Sequence, residues 1–217
     1  MKDVSAKWTR ADSGQHYVQG RFSSARARGR DPRLVARLLR EHGVRPARGG
    51  LLDMPCGTGR LGPVLAATGE PVTSVDVALP MLAALTAPPA LVGEPRRVLA
   101  SAERLPFADR SFDVVVCCRL LHHLHAPDDL RAIIRELVRV SSRLVIASFW
   151  DAGSLPAWRT RAGLKPSEGP LGRRARPRAE IARLFREAGA PPAGFAHSFR
   201  FLSQQAFVAA RREDATR

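Results

Sequence analysis

Three cysteines in 217 residues, two adjacent at 117 and 118 and one at 56, supply neither a disulfide framework nor the paired spacing of a zinc site. No apolar run reaches the roughly 18–20 residues that a membrane-spanning helix needs. Met1 to Arg10 lacks the apolar core of a secretory leader. These absences make a reduced, cytoplasmic setting the expectation. No internal repeat and no long linker divides the chain, so its length suggests one large domain or one domain with a small appendage. Tyrosine occurs once, at 17, and lysine only at 2, 7 and 165, so nearly all of the 35 basic residues are arginine. Against 20 acidic residues they give a formal charge of +15, which suits nucleic acid, an acidic lipid surface or an anionic small molecule. GC-rich coding produces the same arginine skew alongside abundant Ala, Gly and Pro. Charge alone therefore selects no function.

The most informative stretch is Leu51-Leu52-Asp53-Met54-Pro55-Cys56-Gly57-Thr58-Gly59-Arg60-Leu61-Gly62. An apolar run ends in an acid, glycines follow, and then a helix begins. In a parallel α/β sheet this is a first strand entering a tight turn under a bound nucleotide. Gly57 and Gly59 free the backbone for a close ligand approach, and helix-terminal N–H groups face that ligand. A second acid, Asp76, ends the next apolar run. Residues 50–54 and 71–76 read as the first two strands, with helices over 60–68 and 78–85 after them. A short strand at 97–100 precedes a turn-rich connection at 103–113. The β-branched run at 114–118 reads as a buried central strand. A helix at 128–140 with Leu130, Ile133, Ile134, Leu137 and Val138 on one face leads to a fifth strand at 143–149. A helix at 177–188 and closing strands at 195–201 and 205–210 complete the pattern. The expected fold is α/β, a Rossmann-like seven-stranded, mostly parallel sheet with helices on both faces and the last strand antiparallel. Residues 1–30 read as an arm or candidate lid, and 31–217 as the domain, its first helix capped by Asp31 with Pro32 at the first position. Residues 152–176 read as an arginine-rich insertion beside the ligand edge.

Four markers in order resemble class I S-adenosylmethionine-dependent methyltransferases, in the group that includes ubiquinone and menaquinone biosynthesis enzymes. They are Leu52-Asp53-Met54-Pro55-Cys56-Gly57-Thr58-Gly59, Val75-Asp76-Val77 with Met81, Leu105-Pro106-Phe107 and Ser111-Phe112-Asp113. The resemblance spans roughly residues 49–150. It implies S-adenosyl-L-methionine as cofactor, S-adenosyl-L-homocysteine as product, and a methyl transfer to an O, N or C centre of a small molecule. It further implies that the turn from Asp53 through Met54, Pro55, Cys56, Gly57 and Gly59 approaches the methionine and ribose portions, with Asp53 near the ammonium. Asp76 would accept from both ribose hydroxyls. Val77 and Met81 would pack the adenine, Ser101, Ala102 and Glu103 would line its edge, and Cys118 and Arg119 would flank the methionine end. Ser101 stands where such enzymes often carry an aspartate.

Methyl transfer needs in-line alignment more than it needs an acid, although a base helps a hydroxyl or protonated amine react. His122 and His123, in Arg119-Leu120-Leu121-His122-His123-Leu124-His125, are the candidate bases. No acidic or cysteine ligand pattern accompanies these histidines, so no metal is expected. Acceptor recognition falls to Tyr17, Arg21 and Phe22 in the arm and to Trp150 and Trp158, with Arg159 and Arg161, near the insertion. That lining suits an aromatic or anionic small molecule. It also suits RNA, and a third reading makes the chain itself a cofactor-binding protein without catalysis, acting as a partner of another enzyme. The Asn/Asp-Pro-Pro-Tyr/Phe tetrad of base amine methylation is missing, as is a Pro-Cys pair after the fourth strand, and both absences disfavour nucleic acid.

Overall fold

The computed structural model describes residues 25–42, 49–85, 96–164, 172–199 and 201–213. The strands are β1 (Leu51–Asp53), β2 (Val72–Asp76), β3 (Arg96–Leu99), β4 (Phe112–Cys117), β5 (Ser141–Asp151), β6 (Ala175–Arg176), β7 (Pro192–His197) and β8 (Gln205–Arg211). The helices are α1 (Ala25–Glu41), α2 (Gly62–Ala66), α3 (Leu79–Ala83), α4 (Pro127–Val140), α5 (Leu155–Arg161) and α6 (Arg178–Glu187). The sheet order is β3-β2-β1-β4-β5-β8-β7, with β8 antiparallel to both of its neighbours. The short β6 lies off this path and pairs parallel with the end of β5, so an eighth strand joins the seven the sequence suggests. Only two residues pair there, Trp150 with Ala175 and Asp151 with Arg176. Two residues carry no alternation for a sequence pattern to reveal.

Apolar side chains cover both faces of the sheet. On one face Leu52, Val115, Val145 and Phe149 pack against Leu130, Ile133, Ile134 and Leu137 of α4 and Ile181, Leu184 and Phe185 of α6. On the other, Leu51, Val114, Val116 and Ile146 pack against Leu34, Val35, Leu38 and Leu39 of α1 and Leu65 of α2. The buried positions of α4 recur at three- and four-residue intervals, so one stripe turns inward along the whole helix. No helix among the described residues is long and apolar enough to cross a membrane.

Two local readings need correction. Helix α1 starts at Ala25 and runs through Pro32, so Asp31 is inside the helix and not its cap. Asp31 is buried because its carboxylate binds Arg60 and Arg119, and this tertiary anchoring overrides the capping preference of an Asp-Pro pair. The segment expected as a bare insertion also carries α5 and β6. Ser154 caps α5 by accepting from the Ala157 N–H, a cap hidden among Gly, Pro and Arg.

The turn-rich connection between β3 and β4 has its own fastening. Arg139, near the end of α4, donates to Phe107 O (2.8 Å), to Leu105 O (3.2 Å), to Asp109 (2.7 Å) and to both carboxylate oxygens of Glu136 (2.8 Å each). Glu136 in turn accepts from the Leu105 N–H at 2.6 Å. The Arg139 hydrogen bond holds the Glu136 carboxyl below the usual carboxylate range. Arg139→Ala is expected to lower unfolding stability by about 2–3 kcal/mol, because two carbonyls and two carboxylates lose a shared donor. Urea titration measures this. A loss under about 0.5 kcal/mol would show that water replaces the fork without cost.

Candidate functional site

The strand order reverses between β1 and β4, and parallel α/β sheets open a crevice beyond the carboxyl ends of such strands. The chain leaving β1 is held over that point from both sides. The Met54 N–H donates to Val116 O and the Cys56 N–H to Val75 O, each at 2.9 Å. Gly57 and Gly59 then take φ of 54° and 84°, a region that favours glycine. A Cβ on Gly57 would meet nothing within 4 Å among the described residues, so on their side the turn is open to an approaching group. Met54 itself points its side chain into the core, which leaves only its backbone at the edge.

Two carboxylates flank the turn. Asp76, at the end of β2, accepts from the Gly57 N–H through Oδ2 and from the Ala78 N–H through Oδ1, each at 2.9 Å. Desolvation raises its carboxyl, and the Ala78, Gly57 and Val77 amides oppose the rise. Each oxygen retains acceptor capacity for another donor. Asp53, at the end of β1, is 1% exposed, and its Oδ1 has no hydrogen-bond partner among the described residues. Burial pushes its carboxyl up to about 8, with Arg60 opposing and Asp76 adding to the shift. A buried carboxyl oxygen without a donor, beside an open glycine turn, fits a ligand that brings a cation.

A third carboxylate lies on the same face as Asp53. Asp31 Oδ2 is 2.7 Å from an Arg60 nitrogen and 2.9 Å from Arg119 Nε. Desolvation pushes Asp31 up, but the two guanidiniums outweigh it and hold the carboxyl below its ordinary value. Arg119 follows β4 at φ 70°, uncommon for a residue with a side chain, and its N–H donates to Ser148 Oγ at 2.7 Å. Cys118 lies between these groups, with an Arg60 nitrogen 3.6 Å from its sulfur. Burial drives the Cys118 thiol up to about 12, and that of Cys56 higher, so neither is a thiolate nucleophile near neutral pH.

The histidine segment forms a single 3₁₀ turn, Leu121–His123. His122 is buried and its ring stacks on Trp150, with centroids 5.2 Å apart and planes 14° from parallel. His123 is half-buried, its ring centroid 4.4 Å from that of His122. Arg173 covers Trp150 at 4.9 Å from the ring. The Arg174 N–H donates to His122 O at 2.8 Å, and the buried Arg176 donates to Leu124 O at 2.9 Å. The strand β6 segment thus fastens the histidine turn. Trp158 lies on α5 and is 51% exposed.

Asp53, Pro55, Cys56, Gly57, Gly59, Asp76, Cys118 and Arg119 all fall at the carboxyl edge of β1, β2 and β4. Val77 and the buried Met81 follow β2. Ser101, the buried Ala102 and the exposed Glu103 follow β3, whose end is tied to β2 by the Ala100 N–H donating to Asp76 O at 3.0 Å. Tyr17, Arg21 and Phe22 lie outside the described residues. The sequence reading took Asp31 only as a helix cap and passed over Arg60, Ser148 and Arg176. Arg60 adjoins the glycine turn and could have been found there; the other three act through contacts distant in sequence.

Comparison with known proteins bears on the family and the fold. The family described as a methyltransferase domain matches residues 52–144. The mitochondrial ubiquinone biosynthesis O-methyltransferase of Schizosaccharomyces pombe is 34% identical over 105 residues, which is 45% of this chain and 37% of that protein. The match therefore spans under two fifths of the relative's length. Among solved structures, magnesium protoporphyrin IX methyltransferase from Synechocystis, crystallised with S-adenosylhomocysteine (SAH), superposes with a TM-score of 0.75 at 18% identity, covering 98% of this chain and 99% of that one. The 1,6-didemethyltoxoflavin-N1-methyltransferase of Burkholderia thailandensis, bound to 1,6-didemethyltoxoflavin and SAH, gives 0.64 at 21% identity, covering 98% and 87%.

Proposed function

We propose that this chain, a class I S-adenosylmethionine-dependent methyltransferase that matches the methyltransferase-domain family over residues 52–144, transfers a methyl group to an O, N or C centre of a small molecule. The observation that carries the reading is the pair of buried carboxylates, Asp53 and Asp76, on either side of the open Gly57 turn. The bound cofactor supplies an electrophilic methyl on a sulfonium. Asp76 receives the ribose hydroxyls and Asp53 the methionine ammonium. Val77, Met81, Ser101, Ala102 and Glu103 surround the adenine, and Cys118 and Arg119 border the methionine end.

The protein's own contribution is alignment, since the attacking atom must lie about 3–3.5 Å from the methyl and opposite the sulfur. The acceptor lies against Trp150 and Trp158. Between the two candidate bases, His123 is the better placed to take a proton, because His122 is buried with a ring face against Trp150. The O-methyltransferase name of the yeast relative supports an oxygen acceptor.

A methyl-transfer assay with tritiated cofactor and cell extract, fractionated into small molecules, RNA and protein, tests the reading. Label is expected in the small-molecule fraction. Label confined to RNA would overturn the acceptor class, and no label in any fraction would leave a binding protein without turnover. His123→Ala is expected to lose turnover and keep cofactor affinity, and unchanged turnover would remove the base.

A further inference from the structure

An apolar surface lies at the carboxyl edge of the sheet, away from the glycine turn. Among the described residues, six of the eight large apolar side chains left exposed fall in two short segments. Leu155, Trp158 and Leu164 belong to α5 and the residues after it, and Phe199, Phe201 and Leu202 to the connection between β7 and β8. Their exposures run from 42% to 63%. The two segments adjoin, because the Leu155 N–H donates to Phe201 O at 2.6 Å and the Asp151 N–H to Gln204 O at 2.7 Å. The connection is also braced. Ser203 Oγ accepts from the Phe199 N–H at 3.2 Å, and the Ser203 N–H donates to Phe199 O at 2.9 Å. Phe201 takes φ of 66°, which a bulky side chain rarely adopts. Contiguous apolar tips held outward on a fixed backbone mark a surface that something covers.

Charge selects what covers it. No acidic residue occurs in 152–167 or in 188–212 of the sequence. Asp151, at the foot of α5, is buried and bound by Arg178 and His197. The same helix exposes Arg159 and Arg161 beside Trp158. A second copy would set these arginines against their like on a chain that already carries +15, which opposes pairing. RNA would stack on the aromatic rings but leave the leucines without a partner. Tryptophan, phenylalanine and leucine tips with arginines among them match the boundary of headgroup and hydrocarbon in an anionic bilayer.

We propose that α5 and the β7–β8 connection form a docking surface for an anionic lipid bilayer. Phe199, Phe201 and Leu202 enter the boundary, and Arg159 and Arg161 meet the phosphates. The inference goes beyond the functional reading, since it concerns where the protein rests rather than what it methylates. Docking in this way turns the carboxyl edge of the sheet toward the lipid.

Vesicle flotation tests it, with phosphatidylcholine alone and with phosphatidylglycerol replacing part of it. The wild type is expected to float with the anionic vesicles and not with the neutral ones. Phe199→Ser with Leu202→Ser should weaken that binding by about 10- to 100-fold. Arg159→Gln with Arg161→Gln should weaken it by about 5-fold for each arginine. All four residues are exposed, so the melting temperature should stay that of the wild type. The variants spare Trp158, which the acceptor also meets, so vesicle binding and methyl transfer remain separate readouts. Lipid brominated in its acyl chains should quench tryptophan emission of the wild type, a measurement that needs no variant. Equal binding to neutral vesicles, absence of quenching, or undiminished binding by a folded Phe199→Ser, Leu202→Ser variant would each overturn the proposal. So would a concentration-dependent dimer, or binding of a structured RNA, that needs these residues while neither kind of vesicle is bound.

Discussion

Asp76→Ala is expected to abolish the rise in melting temperature that SAH gives the wild-type protein. The carboxylate does two things at once. It holds the turn, because Gly57 and Ala78 both donate to it at 2.9 Å. In the proposed complex it also accepts from the ribose hydroxyls. Each unsatisfied buried group costs about 1–3 kcal/mol, so losing the ribose acceptors alone weakens binding by roughly 10²–10³-fold. Asp76→Asn separates the two roles, because its amide oxygen still accepts from one backbone N–H while its NH₂ cannot accept from a hydroxyl. The asparagine variant should therefore keep most of the unliganded melting temperature and lose most of the ligand shift. Thermal melts with and without SAH measure both quantities. A folded alanine variant with an undiminished shift would remove Asp76 from the cofactor site.

Asp53 predicts an unusual dependence on pH. Its folded carboxyl is held at about 8 by burial, against about 3.9 for an unfolded chain. A group raised in this way favours the fold while it carries its proton. That contribution is complete below about pH 4 and declines as the pH rises toward 8, by a few kcal/mol over the interval. Asp53→Asn should flatten the slope, so that the variant matches the wild type near pH 4 and exceeds it near pH 8. Urea titrations across this range check the point, and parallel wild-type and variant profiles would contradict it. The cofactor should reverse the preference. An ammonium beside Asp53 favours the carboxylate, so binding at pH 7 should release close to one proton from the wild type and none from the variant. Calorimetry in buffers of different ionisation enthalpy counts that proton.

The sequence disclosed those parts of the fold whose signal is local. The first five strands, the amphipathic stripe of α4 and the acid–glycine–acid spacing around Gly57 each depend on neighbouring residues and are where they were expected, whereas the strand expected at 195–201 lies at 192–197. Interactions set by distant residues were illegible. Asp31 beside Pro32 has every local mark of a cap, and only Arg60 and Arg119, far along the chain, draw it into the interior. Arg176 reads as one more arginine in a Gly/Pro-rich stretch, yet it is 3% exposed and bonded to the carbonyl of Leu124. A composition so rich in arginine conceals its few buried examples among many solvated ones.

The position of the final strand has a consequence for the order in which the sheet is assembled. β8 lies between β5 and β7 and pairs with β5 from Leu144 to Trp150, although it follows every other described element in sequence. During synthesis β5 therefore emerges, with its apolar residues, well before the segment that covers its edge. An unpaired strand of that length is a template for another chain. The cell must carry this nascent protein through an interval in which one edge of β5 is open to strangers, and the interval ends only when residues 205–211 leave the ribosome.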